Sequence, residues 1–110
     1  MKQGQDSLVG TVSDTAGLVA YQAGAVVSRT IIARKSGTVT LFSFDRNEGL
    51  SEHTAPYDAL VHVLEGEAEI TINGVPSNLT AGQMIIMPAS KPHALKALSP
   101  FKMMLIMVHE

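Results

Sequence analysis

From Val26 onward the apolar residues of this chain come in short runs, rich in β-branched and aliphatic side chains and separated by turn-forming residues. The runs are Val26 to Ala33, Thr38 to Phe44, Ala59 to Leu64, Glu67 to Ile72, Met84 to Met87 and Met103 to Val108. Segments of this length and composition are strands. Glycines and prolines at Gly37, Gly49, Pro56, Gly66, Gly74, Gly82, Pro88, Pro92 and Pro100 interrupt the chain too often for helices of ordinary length. Within Glu67 to Ile72, Ala68, Ile70 and Ile72 fall on one face and Glu67, Glu69 and Thr71 on the other, so one face is buried and one is wet. Asn73-Gly74 follows directly and suits the two positive φ angles of a tight hairpin turn.

The segment Gly4 to Gly24 is different: small and polar residues are mixed with short apolar stretches, and Leu18 to Tyr21 suits a helical turn or a strand equally. The chain therefore divides into an N-terminal segment, 1–24, expected to pack on the rest, and a β domain, 25–110. No internal repeat decides between a sandwich and a barrel.

Composition narrows the functional classes. A hydrophobic share of 45% against 16% charged, over 110 residues, describes one packed domain and excludes disorder. A formal charge of −2, with lysines and arginines scattered, offers no clustered positive field for nucleic acid. No apolar run approaches the ~20 residues of a membrane span, and no secretory core opens the chain, so the cytoplasm is the expected location. The chain has no cysteine, which excludes disulfides and thiolate chemistry.

Any metal must then be held by imidazole, carboxylate or thioether, and the histidines are His53, His62, His93 and His109. His62 sits inside the apolar run Leu60 to Leu64 and reads as a packing or interface residue, and His109 as a surface residue beside the carboxyl terminus. Met84, Met87, Met103, Met104 and Met107 stand among leucine and isoleucine in strand runs and are expected to fill the core. Glu65, Glu67 and Glu69 read as a solvated edge rather than an acid–base pair. No nucleophile elbow, phosphate loop or zinc-helix motif is present.

Two segments stand out: Gly49-Leu50-Ser51-Glu52-His53-Thr54-Ala55-Pro56-Tyr57-Asp58-Ala59, closing at Gly66, and Gly82-Gln83-Met84-Ile85-Ile86-Met87-Pro88-Ala89-Ser90-Lys91-Pro92-His93. Around the hairpin Val63 to Glu69 they resemble the two motifs of the cupin superfamily, across roughly Val26 to Val108. In that family the first motif supplies two histidines two residues apart and then an acid or a third histidine four or five residues on. The second supplies a last histidine after a Pro-x-Gly turn. His53 matches the first histidine and His93 the last. Ala55 stands where the second histidine belongs, Ala59 falls at a spacing used by the third ligand, Ser90 replaces the glycine and Ala97 the final asparagine.

The resemblance implies an all-β, antiparallel jelly-roll β-barrel (a double-stranded β-helix) of six to eight strands with one pocket. On a continuous strand His53, Ala55 and Ala59 would share a face, and a metal site would need a third ligand at Asp58 or His62, turned inward by a bulge at Pro56. The resemblance thus implies a small-molecule-binding barrel whose pocket is lined by His53, His93, Tyr57, Ala55 and Ala59, with a divalent transition metal (Zn, Mn, Fe, Ni or Cu) held by His53 and His93 weakly or not at all. The alternative is a metal-dependent enzyme of the dioxygenase or isomerase type. Small cupins commonly pair, and the runs Val26 to Ala33 and Met103 to Val108 read as apolar on both faces, so a homodimer is expected.

Overall fold

The computed structural model describes residues 7–110. Among the described residues nine strands follow one another: β1 (Val26–Arg34), β2 (Gly37–Phe44), β3 (Gly49–His53), β4 (Asp58–Glu65), β5 (Glu67–Ile72), β6 (Val75–Thr80), β7 (Met84–Met87), β8 (His93–Ala97) and β9 (Phe101–Val108). They form two antiparallel sheets, β1-β2-β9-β4-β7 and β3-β8-β5-β6, facing each other as a jelly roll. Nine strands replace the six to eight expected. The additional ones, β3, β6 and β8, are polar or interrupted by proline and lysine, so their hydrophobic signal is weak.

Asn73 and Gly74 have φ angles of 51° and 81°, and the hairpin they turn joins β5 to β6 in continuous register. β5 lies between β6 and β8, so Glu67 and Glu69 do not form a sheet edge, as the sequence suggested. Glu65 is likewise engaged: it accepts a hydrogen bond from the Tyr21 hydroxyl at 2.7 Å and faces the Lys102 ammonium at 3.6 Å.

The core fills the space between the sheets with Val61, Val63, Ile70, Leu95, Met103 and the aromatic rings. Phe44 and Phe101, register partners on β2 and β9, stack with centroids 4.5 Å apart, and Phe42 continues the stack at 5.8 Å. Met87 and Met103 are buried as expected, whereas Met84 is 47% exposed and Met104 shares its outward face, because each is an odd number of residues from its buried neighbour. β1 is also not apolar on both faces: its inner face carries Ser28 and Thr30, opposite Phe42 and Thr40.

Residues 15–18 form a single 3-10 turn, and the chain then runs extended to Ala20 over the outer face of the five-stranded sheet. Three side chains of the barrel donate to its carbonyls: Arg29 to Leu18, Ser43 to Ala20 and Lys102 to Ala16. This strap buries Val19, Leu41 and Ser43. Lys102, nearly buried, is satisfied there by the carbonyl, by Glu65 and by the Tyr21 ring below its ammonium at 4.8 Å. Burial and the Glu65 carboxylate raise the Tyr21 hydroxyl well above its ordinary range.

The turn between β4 and β5 rests on Gly66, at φ 82°, where a Cβ would collide with the Pro100 carbonyl oxygen and approach Phe101 Cβ to 2.6 Å. Gly74 shares the left-handed φ but has open space around it. Gly66→Ala is expected to cost at least about 3 kcal/mol and Gly74→Ala only about 1–2 kcal/mol, the conformational part alone. Urea unfolding of the two variants measures the difference, and equal losses would mean that the close approach at Gly66 is relieved without cost.

Candidate functional site

β3 and β8 run antiparallel with Gly49 opposite Lys96 and Leu50 opposite Leu95, after which the register shifts and His53 meets His93. Ser51 and Glu52 thus stand against Ala94 alone, which is a β-bulge. The extra residue has a defined effect. Leu50 packs on the core, and strict alternation would turn a residue three positions later to the other face; the bulge turns His53 to the side of His93. The chain then leaves the sheet, and β4 begins at Asp58 in the opposite sheet. His53, Ala55 and Ala59 therefore do not share one continuous strand, as the spacing had suggested.

His93 is buried, 4% exposed, while His53 lies at the open rim, so the pair reaches from solvent into the barrel. Their Nε2 atoms are 3.1 Å apart and the rings meet edge to face at 74°. Each Nδ1 faces a backbone carbonyl, His53 that of Ser51 at 2.8 Å and His93 that of Lys91 at 3.3 Å. A carbonyl only accepts, so each Nδ1 carries the hydrogen and each Nε2 of a neutral ring presents a lone pair. Two lone pairs at this distance repel; a single proton between them makes a hydrogen bond, and a second has no acceptor. Burial, and then the neighbouring His53, hold the His93 imidazole below its ordinary range, against the opposing pull of the Lys91 carbonyl.

The rim is stitched together by main-chain bonds. Ser90 N–H donates to the Ala55 carbonyl at 2.7 Å, Ala89 N–H to the Asp58 carboxylate at 2.8 Å, and Asn73 N–H to the Pro92 carbonyl at 2.8 Å. Ser90 adopts φ 65°, the left-handed conformation a glycine would take without cost. Among the proposed pocket residues, Ala59 is buried in the core, Ala55 holds the loop, and Tyr57 lays its ring against His109 at 4.3 Å. His109, read from the sequence as a surface residue, is half-buried and donates its N–H to the Ser36 carbonyl.

The structure does not bring Asp58 or His62 to the pair. Asp58 is engaged with Ala89, and His62, between the buried Val61 and Val63, points to the outer face of the sheet. Among the described residues no group of three His, Cys, Asp or Glu side chains comes together to hold a metal ion. The donors fit a divalent transition ion in kind, since two bare imidazole nitrogens whose N–H groups are anchored on carbonyls are the usual arrangement of metal-bound histidine. In number they fit half a shell.

Polar residues that the sequence reading passed over face the interior at the same end. Thr30 and Thr40, register partners on β1 and β2, place their hydroxyls 3.1 Å apart, and Ser28 shares their face. Ser28 and Thr30 are exposed although they face inward, so this half of the barrel is open to water. Period-two alternation in Val26 to Ala33 was the signal that would have found them.

An antiparallel jelly roll of two facing sheets with a histidine pair at its rim is the architecture of a cupin barrel. Residues 40–109 match the family model of the cupin domain, and the chain belongs to that family. A conserved protein of unknown function from Streptococcus pyogenes is 35% identical, with 100% of this chain and 96% of that one covered and a TM-score of 0.91. A cupin 2 conserved barrel domain protein from Leptotrichia buccalis is 40% identical over 84% of this chain and 45% of its own, with a TM-score of 0.82. A cupin superfamily protein from Desulfitobacterium hafniense is 30% identical over 86% and 87%, with a TM-score of 0.83. None of the curated proteins compared with the chain matches it.

The depressed basicity of His93 has a sign that stability measurements can read. Below the ordinary imidazole value of 6.5 the unfolded chain protonates His93 while the folded ring stays neutral, so the unfolded state holds more protons and acidification destabilises the fold. Urea midpoints are expected to fall between about pH 7 and about pH 5.5, and the fall to be smaller in His93→Gln. A pH profile unchanged by the substitution would refute the assignment.

Proposed function

We propose that this protein is a binding barrel for a small oxygen-bearing molecule, recognised at the open end by the His53–His93 pair and the hydroxyls of Ser28, Thr30 and Thr40. The observation that carries this reading is the orientation of the pair: both Nδ1 hydrogens are held by carbonyls, so the two Nε2 atoms are left to meet a proton, a hydroxyl donor or a cation. A divalent metal held there would be shared with the ligand and easily lost, because the protein supplies two donors and leaves the remainder to water or ligand.

The alternative reading, a metal-dependent enzyme, requires a third protein ligand, and Ala55 and Ala59 occupy the family positions that would provide it. The working unit in this proposal is a homodimer, a reading supported by the apolar outer face of the five-stranded sheet.

Protein purified without a metal-affinity tag is expected to carry clearly less than one metal ion per chain by inductively coupled plasma mass spectrometry. Titration with ZnCl2 is expected to show weak binding, in the range of tens of micromolar or above (about −6 kcal/mol), that disappears in the double variant His53→Ala, His93→Ala. Tightly held stoichiometric metal would favour the enzyme reading, and zinc binding that survives the double variant would remove the pair from the site.

A further inference from the structure

An imidazole and two thioethers stand side by side on the outside of the five-stranded sheet. His62 on β4 is the register partner of Met84 on β7 and of Met104 on β9, and Met104 is in turn the partner of Leu41 on β2. All of them point outward, because Val61, Val63, Ile85, Met103 and Leu105, their neighbours along the strands, are the ones packed on the core. Leu41 is buried beneath the strap, Met104 and His62 are half-buried, and Met84, on the edge strand, is 47% exposed. The hollow that Leu8 and Val9 share with Ile31 and Ile32 lies at the opposite edge, on β1.

Among the described residues no group hydrogen-bonds the His62 imidazole, so its ring keeps a nitrogen lone pair at a half-buried surface. The donors around it are sulfur. The next outward line toward the mouth is the aliphatic row Ile32, Val39, Ile106, Leu60 and Ile86. On the strap side the Glu65 carboxylate is engaged by Tyr21 and Lys102.

We infer that this line is a metal site separate from the histidine pair of the barrel, and that it takes a soft monovalent cation of the Cu(I) type. The His62 imidazole and the Met84 thioether hold the ion, with Met104 as the sulfur on the other side. Softness sets the choice: thioether sulfur selects Cu(I), whereas Zn(II) and Mn(II) call for further imidazoles or carboxylates. Two donors suffice for Cu(I), which is stable in linear coordination. The spacing allows it, since directly opposed residues have Cβ atoms ~4.5–5.5 Å apart, and an ion bonded to nitrogen at ~2.0 Å and to sulfur at ~2.3 Å fits within that span. The unbranched Met84 side chain can turn to meet it. Every donor comes from one chain.

Silver(I), a redox-inert ion of the same charge and ligand preference, is the probe. Protein isotope-labelled at its methionine methyl groups is titrated with AgNO3 in chloride-free buffer and followed by NMR, with signals assigned by single Met→Leu substitutions. The Met84 and Met104 methyl signals are expected to move and to saturate near about one equivalent, at least about 10-fold below the concentration that saturates free N-acetylmethionine, while those of the buried Met87 and Met103 stay. His62→Gln and Met84→Leu, both at outward positions, are each expected to weaken binding at least about 10-fold, with the fold verified by far-UV circular dichroism. The double variant His53→Ala, His93→Ala is expected to leave the Met84 response unchanged, so the fate of the barrel site does not decide this one. Binding no tighter than that of N-acetylmethionine, or unaltered by His62→Gln, would overturn the inference.

Discussion

The barrel is filled unevenly, and its other properties follow from that. At one end Phe44 and Phe101 stack 4.5 Å apart beside the Gly66 turn, and the interior there is occupied by rings. Toward the other end the same strands carry Thr38, Thr40, Ser28 and Thr30 on their inner faces, side chains too small and too polar to close the space. Phe44 and Phe101 are the largest fully buried side chains of the core. The open end is free to hold solvent, and it is there that two strands from one sheet present a histidine each.

Those histidines meet because one strand breaks the period-two rule. Without the bulge before His53, the imidazole would leave the barrel and His93 would be alone in a buried site. With it, an exposed ring and a buried ring share a 3.1 Å gap, each fixed through its other nitrogen to a carbonyl two residues upstream. The fixation is local, made within each strand or its approach, so the orientation of both rings does not depend on the rest of the barrel wall. The site is consequently pre-organised, which limits the entropy lost when something binds.

Much of this was legible in the sequence, and the illegible parts have physical causes. The strands that bury a face announced themselves by alternation, β5 most clearly, and Asn73-Gly74 fixed a turn without reference to any distant residue. β3 and β8, which carry the histidines, were not found as strands because their polar residues hide the pattern. The spacing of His53, Ala55 and Ala59 suggested one face of one strand; the crossing from one sheet to the other between His53 and Asp58 is a property of topology, invisible to local periodicity. Methionines mislead for a similar reason. Met84 and Met104 look like Met87 and Met103 in composition and differ only in parity, and the outward row from Ile32 to Ile86 emerges only when five strands are placed in register.

The strap that crosses the outer sheet is gripped through its main chain. Arg29, Ser43 and Lys102 each reach out from the barrel to a carbonyl oxygen of residues 16–20, and a carbonyl is supplied by any amino acid. Recognition through hydrogen bonds therefore resides in the barrel and not in the side chains of the strap, among which Gly17 and Ala20 face solvent. Sequence drift is tolerated at the solvent-facing positions of the strap and resisted in the three barrel side chains that grip it, so residues 17 and 20 could diverge and the strap still dress the same sheet in the same way.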